Sequence, residues 1–195
     1  MGHSSVSDLP AHSHQSLVNY CERCGTVLTG RQIDGKLLPA CPACDHIGYL
    51  DPKVAAGVIF TLNGELVLLK RGIEPSVGKW VFPGGYVDRG EPVPVGAARE
   101  AREEVGMEIA VEDLIGVYSY PDVAVVLIVY SGKVTGGELK GNFESQEIRT
   151  FGMSEIPWDD LAFRSTAEAL KDWIALSSVQ FRGADGAAKD TGSIN

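Results

Sequence analysis

The sequence lacks long apolar runs. None of its 195 residues belong to an uninterrupted apolar stretch of about 18, the length that a helix needs to cross a bilayer. The N-terminal segment also has no apolar stretch long enough for a secretory signal peptide. These two absences predict a cytoplasmic protein that does not bind membranes. Positive charge is scarce too: 17 Lys and Arg stand against 26 Asp and Glu, a formal net charge of −9. This balance argues against a broad electrostatic grip on nucleic acid.

Cysteine is also scarce, and the four cysteines form two pairs, in CERC and CPAC, separated by 16 residues: Cys21, Cys24, Cys41 and Cys44. In a chain without an export signal, such pairs bind metal more often than they form disulfides. The spacing predicts a four-cysteine zinc ribbon around one Zn²⁺, with iron as the lesser choice. Because four protein ligands close the coordination shell, we expect a structural role. Two unconnected pairs or a redox pair are the alternatives.

Composition divides the chain into four segments. Residues 1–18 are polar and aperiodic, which predicts a disordered tail. Residues 19–52 contain the cysteines and form the predicted ribbon. Residues 53–180 alternate strand and helix patterns, which predicts an α/β (α+β) domain with a mixed sheet packed between helices. Residues 181–195 are rich in Gly, Ala and Asp and are expected to form a loose tail.

Local patterns predict the elements of the large domain. The runs VAAGVIFTL and ELVLLKR are joined by Asn63-Gly64, the strongest short-range hairpin signal. Further strands are predicted in KWVFPGGYVD, VEDLIGVYSY, VAVVLIVYSGKV and EIRTFGM, and a C-terminal helix in FRSTAEALKDWIALSSV. The segment PVPVGAAREAREEVGM predicts another helix, which is entered through prolines and stopped at Gly106.

The predicted helix in PVPVGAAREAREEVGM carries an electrostatic cost. Glu100, Glu103 and Glu104 lie at i, i+3 and i+4, where like charges destabilise a helix by a few tenths of a kcal/mol each. Bound cations would remove that cost, and carboxylate oxygens favour Mg²⁺ or Mn²⁺. A solvated acidic face is the alternative. The small apolar residues lie on another side of the helix: Ala97, Ala98, Ala101 and Val105.

The segment GGYVDRGEPVPVGAAREAREEVGM resembles the signature of the Nudix hydrolases. Gly85, Glu91, Arg99-Glu100, Glu103-Glu104 and Gly106 have the spacing of that family. Ala101 replaces the bulky aliphatic residue that is often found at its position, but it remains apolar. The resemblance implies a Nudix fold and hydrolysis of a nucleoside diphosphate that is linked to another group.

The resemblance also implies roles for the residues of this segment, which we call the Nudix box. Glu100, Glu103 and Glu104 would bind the divalent metal, and Arg99 and Glu91 would pair to hold the loop against the helix. The glycine-rich loop, with Gly84 and Gly85, would bring its backbone close to the ligand. The metal would polarise the diphosphate and activate a water molecule.

Nudix enzymes often use one more carboxylate from outside the box, as a ligand or general base. Glu144 and Glu147 in NFESQEIRTF are the candidates here. The sequence favours Glu147, because it precedes an aromatic residue by four positions, as in the zinc-containing branch of the family. An ordinary glutamate at a strand edge is the alternative reading of Glu147.

The predicted ribbon indicates the branch that contains NADH diphosphatases and RNA de-NADding enzymes. The chain lacks the Ser-Gln-Pro-Trp-Pro-Phe-Pro-type motif of its NADH-specific members, and ESQEIRTFGMSEIPWDDLAFRS is closer to members that cleave ADP-ribose or FAD. Pro121 lies near a proline position of the ADP-ribose-cleaving members. ADP-ribose or FAD is therefore the expected substrate, with release of AMP. NADH or NAD-capped RNA is the alternative.

Partners follow from this interpretation. We expect a small-molecule nucleotide substrate, no nucleic acid other than capped RNA, and a homodimer as in related proteins. A non-catalytic Nudix ligand sensor is the alternative outside enzymology. Several aromatic side chains near the box are candidates for stacking on adenine, with the protein core as their alternative location: Trp80, Phe82, Tyr86, Tyr118 and Tyr120.

Overall fold

The structure is a computed structural model that describes residues 20–121 and 123–186, with side chains described up to 177. The predicted tail at 1–18 therefore lies outside the described residues, as do residues 187–195. The chain divides into two compact units. The first runs to Pro52 and includes Tyr120–Ala124, and the second contains the remainder from Lys53.

The first unit is a β-hairpin, with one cysteine-containing loop before its first strand and another after its second strand. Strand β1 (Thr29–Ile33) pairs antiparallel with β2 (Lys36–Ala40). The connecting Asp34 and Gly35 have φ values of 49° and 78°, the left-handed conformation that two-residue hairpin turns require. The cysteine pairs flank this hairpin, so that residues distant in sequence come together.

The second unit contains the other strands and both α-helices. Two short 3₁₀ turns, Met153–Glu155 and Trp158–Asp160, precede the last helix. The elements in chain order are β3 (Lys53–Ile59), β4 (Thr61–Leu62), β5 (Glu65–Arg71), β6 (Trp80–Val81), β7 (Gly84–Tyr86), α1 (Val93–Val105), β8 (Met107–Tyr118), β9 (Val125–Gly137), β10 (Ser145–Phe151) and α2 (Arg164–Gly186).

These strands form two sheets. The first has the order β7-β3-β9-β8 and is mixed, because β3 and β9 run parallel while the other pairs are antiparallel. The second has the order β10-β5-β4, with β6 also paired to β5, and is antiparallel. The predicted mixed α+β fold is confirmed, although its strands are divided between two sheets.

The Asn-Gly hairpin forms as predicted. Asn63 and Gly64 have φ values of 53° and 86° and connect β4 to β5. Residues Leu66–Leu69 of β5 are all buried, which explains why this strand reads as a continuous apolar run rather than an alternating one.

Helix α1 begins after Pro92 and ends at Gly106, whose φ of 74° forms the left-handed cap that the sequence predicts. Its alanines Ala97 and Ala101 are fully buried in one core cluster with Ala56 and Val58 of β3. Small side chains on both elements allow the helix backbone to approach the sheet closely. The glutamates of the helix are consequently held near β7 and the loop that follows it.

Helix α2 covers the opposite face of the mixed sheet. Tyr118 pairs with Leu127, and Leu127 pairs with Ala55, so these side chains lie on the face that Ala56 does not share. The Tyr118 hydroxyl donates a hydrogen bond of 2.8 Å to Asp172 of α2. The sheet therefore lies between two helices, as predicted.

Helix α2 continues to Gly186, so residues 181–186, expected to belong to the loose tail, are helical. Glycine and alanine do not stop a helix that tertiary packing has already started. Within the described ranges, neither helix is both long and apolar enough to cross a membrane.

Candidate active site

Arg99 of α1 joins the helix to the loop after β7. Its Nε and Nη2 donate to the two carboxylate oxygens of Glu91, at 2.9 and 3.0 Å, and Nη2 also donates to the Tyr86 carbonyl at 3.0 Å. The planar guanidinium fits a carboxylate through two parallel hydrogen bonds. These hydrogen bonds from Arg99 lower the pKa of Glu91 to about 2. The structure thus brings the predicted pair together.

The same guanidinium contacts two more carboxylates. Nη1 of Arg99 donates to Glu100 at 2.8 Å and to Glu103 at 3.0 Å. The hydrogen bonds that Arg99 donates, first to Glu91 and then to the other two carboxylates, raise the pKa of Arg99. One cation therefore orients three glutamates, and the predicted supporting role of Arg99 corresponds to these contacts.

Glu104 lies deepest among the box glutamates, with 5% of its surface exposed. The backbone N–H of Gly84 donates to its Oε2 at 2.8 Å. Burial raises the pKa of Glu104 to about 8, and the negative charges of Glu100 and Glu144 add to this increase. The positive charge of Arg71 opposes it. Burial likewise raises the pKa of Glu100.

Gly84 and Gly85 of β7 lie too close to neighbouring atoms to carry a side chain. A Cβ at Gly85 would lie 2.5 Å from the Glu100 carboxylate. A Cβ at Gly84 would lie 2.7 Å from the Ala56 carbonyl oxygen, on the neighbouring strand β3. Any side chain at either position would displace a box glutamate or separate β7 from β3. The backbone of β7 therefore contacts the box carboxylates, and its predicted approach to a ligand stays a prediction.

The two candidates for the outer carboxylate occupy different places. Glu144 precedes β10, and its charge acts on Glu100 and Glu104. Glu147 is half exposed on β10, with Lys70 Nζ at 3.9 Å. Among the described residues, no hydrogen bond or ion pair joins Glu147 to the box. The register shift between Ser145 and Glu147 sets this arrangement.

Most of the aromatic candidates are core residues. Trp80, Phe82 and Tyr118 are buried, in keeping with the alternative location, whereas Tyr86 is 58% exposed. Tyr120 is half-buried and belongs to the first unit. Sequence reasoning missed the nearby Phe143, which is 84% exposed, because a single aromatic in a polar loop carries no periodic signal.

The four cysteines form a second, separate cluster. Their Sγ atoms all lie within 4.8 Å of one another, and three of the pairs are 3.5 to 3.6 Å apart. A tetrahedral zinc with Zn–S bonds of ~2.3 Å has ligand–ligand edges of about 3.8 Å. None of the four is in a disulfide. This donor set fits a tetrahedral metal ion.

The raised pKa of Glu104 predicts how stability varies with pH in EDTA. The unfolded pKa of a glutamate is about 4.3. Between that value and about 8 the folded state binds the additional proton, so the free energy of unfolding falls as pH rises. Glu104→Gln should reduce this fall. Urea unfolding midpoints measured from pH 5 to 8.5 report this fall, and the exposed Glu112→Gln variant is the control. Wild-type and Glu104→Gln midpoints that change in parallel with pH would contradict the raised pKa of Glu104.

Comparison with known proteins identifies relatives. A family model described as the NUDIX domain matches residues 51–176. A protein of Methanocaldococcus jannaschii named ADP-ribose pyrophosphatase is 34% identical over 151 residues, which cover 75% of this chain and 88% of that protein. A protein of Stutzerimonas stutzeri named NAD-capped RNA hydrolase NudC is 29% identical over 141 residues, 71% of this chain. The matched part is 49% of that protein, so this chain spans about half of its length.

Solved structures agree with this relationship. The crystal structure of a NUDIX hydrolase from Nitrosomonas europaea has a TM-score of 0.74 and 36% identity, and the match covers 78% of this chain and 88% of that chain. The residues that the family model matches include both sheets of the second unit and helix α1. They also include Gly84 and Gly85, which contact the glutamates of α1. The resemblance seen in the sequence is confirmed: the chain belongs to the Nudix hydrolase family.

Proposed function

We propose that this protein hydrolyses the diphosphate bond of ADP-ribose or FAD and releases AMP, using Mg²⁺ or Mn²⁺ held by Glu100, Glu103 and Glu104. The observation that carries the proposal is the excess of negative charge at one end of α1. Arg99 offsets part of that charge, but it is already paired with Glu91. Carboxylate oxygens are ligands that favour hard divalent cations.

Hydrogen bonds from the backbone and from Arg99 orient the three carboxylates of the proposed metal site. The Gly84 N–H fixes one oxygen of Glu104, and Arg99 fixes one oxygen each of Glu100 and Glu103. When bound, a divalent cation polarises the diphosphate and makes water a nucleophile near neutral pH. Arg71 adds a positive charge close to Glu104, which suits a substrate that carries phosphates.

The choice of substrate rests on the relatives and on the residues outside the box. The name of the Methanocaldococcus jannaschii relative supports ADP-ribose. The name of the Stutzerimonas stutzeri relative supports NAD-capped RNA, which with NADH is the second candidate. The formal charge of −9 makes a long RNA the poorer electrostatic partner. A homodimer remains a prediction, which the mass in solution would test.

Glu144 is the better-placed outer carboxylate in this proposal, although the sequence favoured Glu147. Glu144 acts electrostatically on two box glutamates, whereas Glu147 lies beside Lys70. A carboxylate near the metal ligands is able to bind metal or accept a proton from water. The role of Glu147 on the strand is then an ion pair at the surface.

The cysteine cluster is proposed to hold one structural Zn²⁺. A hairpin of two five-residue strands buries too little apolar surface to fold alone, and a metal that joins both cysteine loops supplies the missing stability.

The first experiment is product analysis with ADP-ribose, FAD and NADH in Mg²⁺ or Mn²⁺. AMP should form fastest from ADP-ribose or FAD. Glu103→Gln should lower kcat by about 100-fold or more, because loss of a ligand weakens a metal worth several kcal/mol of transition-state stabilisation. Glu112→Gln, an exposed carboxylate on β8, is the control. Faster release of AMP from NADH would select the second candidate, and tight binding without turnover would select the ligand sensor.

The outer carboxylate is tested by paired substitutions. Glu144→Gln should lower kcat by about 10²- to 10⁴-fold, the usual contribution of a general acid or base. Glu147→Gln should keep kcat within about twofold of wild type, since half-exposed ion pairs contribute little. The reverse order of the two effects would restore Glu147 as the outer carboxylate.

Metal analysis of the purified protein tests the ribbon. We expect one zinc per chain, lost in Cys41→Ser because a hydroxyl replaces a thiolate ligand. Ala40→Ser changes the adjacent, equally buried residue and should retain zinc. Iron in place of zinc, or zinc retained in Cys41→Ser, would refute the proposed site.

A further inference from the structure

The chain between β9 and β10 contains a tightly bonded turn, Asn142–Ser145, which we call the 142–145 turn. The Asn142 side-chain oxygen accepts a hydrogen bond from the Glu144 N–H at 2.8 Å. The Asn142 N–H donates to the Ser145 hydroxyl oxygen at 3.0 Å. Side chains at both ends of the turn therefore satisfy its own backbone, an arrangement that fixes a loop conformation.

The 142–145 turn is also fastened to two neighbouring elements. The Gly72 N–H, just after β5, donates to the Glu144 carbonyl at 2.6 Å. The Ser145 hydroxyl lies 3.3 Å from the Glu104 carbonyl oxygen of α1 and donates to it. A Cβ at Gly72 would lie 3.0 Å from the Glu144 carbonyl oxygen, so this contact depends on glycine. The turn is held beside the box rather than free in solvent.

Phe143 projects from this fixed turn into solvent. Its exposed fraction is 84%, the largest among the exposed large apolar side chains of the described residues. No ring contact or cation–π pair found in the described part of the chain includes it. Burial of a Phe side chain stabilises a protein by about 1.5–3 kcal/mol, and the fold gives up that gain here. A rigid turn that presents a bare aromatic ring suits contact with a ligand.

We propose that the Phe143 ring stacks on the nucleobase of the substrate and so favours nucleotides over sugar phosphates that have no base. This inference rests on the proposed function. The Ser145 hydroxyl donates to the carbonyl of Glu104, so Phe143 belongs to a turn that contacts α1 at one of the box glutamates. In a nucleotide, one ribose separates the diphosphate from the base. The same turn would therefore offer a carboxylate to the metal or the attacking water and an aromatic ring to the base.

Preorganisation explains the advantage of this arrangement. Stacking on an aromatic side chain tolerates different bases, because every base has a π-face. A ring on a turn fixed by Gly72 and Ser145 loses little conformational freedom on binding, so more of the stacking energy appears as affinity. The ring would contribute to binding of the substrate and not to the chemical step.

Calorimetric titration of the full-length protein with AMP and with ribose 5-phosphate, both in Mg²⁺ buffer, tests this contact. Phe143→Ala should weaken AMP binding by about 5- to 150-fold, the range that corresponds to stacking of one base. Binding of ribose 5-phosphate, which has no base, should not change. Phe143→Trp should restore AMP affinity because it restores the ring. Leu114→Ala, another exposed apolar side chain, should leave both affinities unchanged.

Steady-state kinetics with ADP-ribose add a second readout: Phe143→Ala should raise KM while kcat stays within about twofold. Unchanged AMP affinity in Phe143→Ala, or equal losses for AMP and ribose 5-phosphate, would overturn the inference. A change in oligomeric state without a change in AMP affinity would also overturn it and assign Phe143 to a protein interface. If the wild-type protein hydrolyses none of the nucleotides, the proposed function fails by itself, since the AMP titration does not depend on turnover.

Discussion

The site depends on one guanidinium. Arg99 donates to Glu91 in the loop after β7 and to Glu100 and Glu103 on its own helix, and it is 19% exposed. Without it, three carboxylates would repel one another, two of them at only 13% exposure, and the loop would lose its ion pair with the helix. The Gly84 N–H that donates to Glu104 is held separately, by the pairing of β7 with β3.

The packing of α1 provides the second constraint. Alanines on one side of the helix allow it to lie close to β3, and the same closeness brings the glutamates on another side to the glycines of β7. Burial then raises the pKa of Glu104 and of Glu100, while paired Glu91 keeps a low pKa. Three glutamates within one short segment thus differ in acidity because their surroundings differ.

Local chemistry made much of this predictable from the sequence. The Asn63-Gly64 turn and the Gly106 cap each require a left-handed backbone that few residues adopt, so their positions were visible in the residue types. The spacing of the box glutamates likewise identified the carboxylate cluster. The place of Glu147 was not visible, because it depends on a register shift between β10 and β5. The exposure of Phe143 depends on tertiary packing, which residue types alone do not report.

The 142–145 turn belongs to a different part of the chain from helix α1. The turn accepts a hydrogen bond from the N–H of Gly72, just after β5, and donates one through Ser145 to a backbone carbonyl of α1. Neither contact involves the side chain at position 143. The side chain at position 143 can therefore change, and with it the proposed contact to the base, while α1 stays unaltered. Under the proposed function, such a separation would allow related hydrolases to differ in substrate while they keep the same α1.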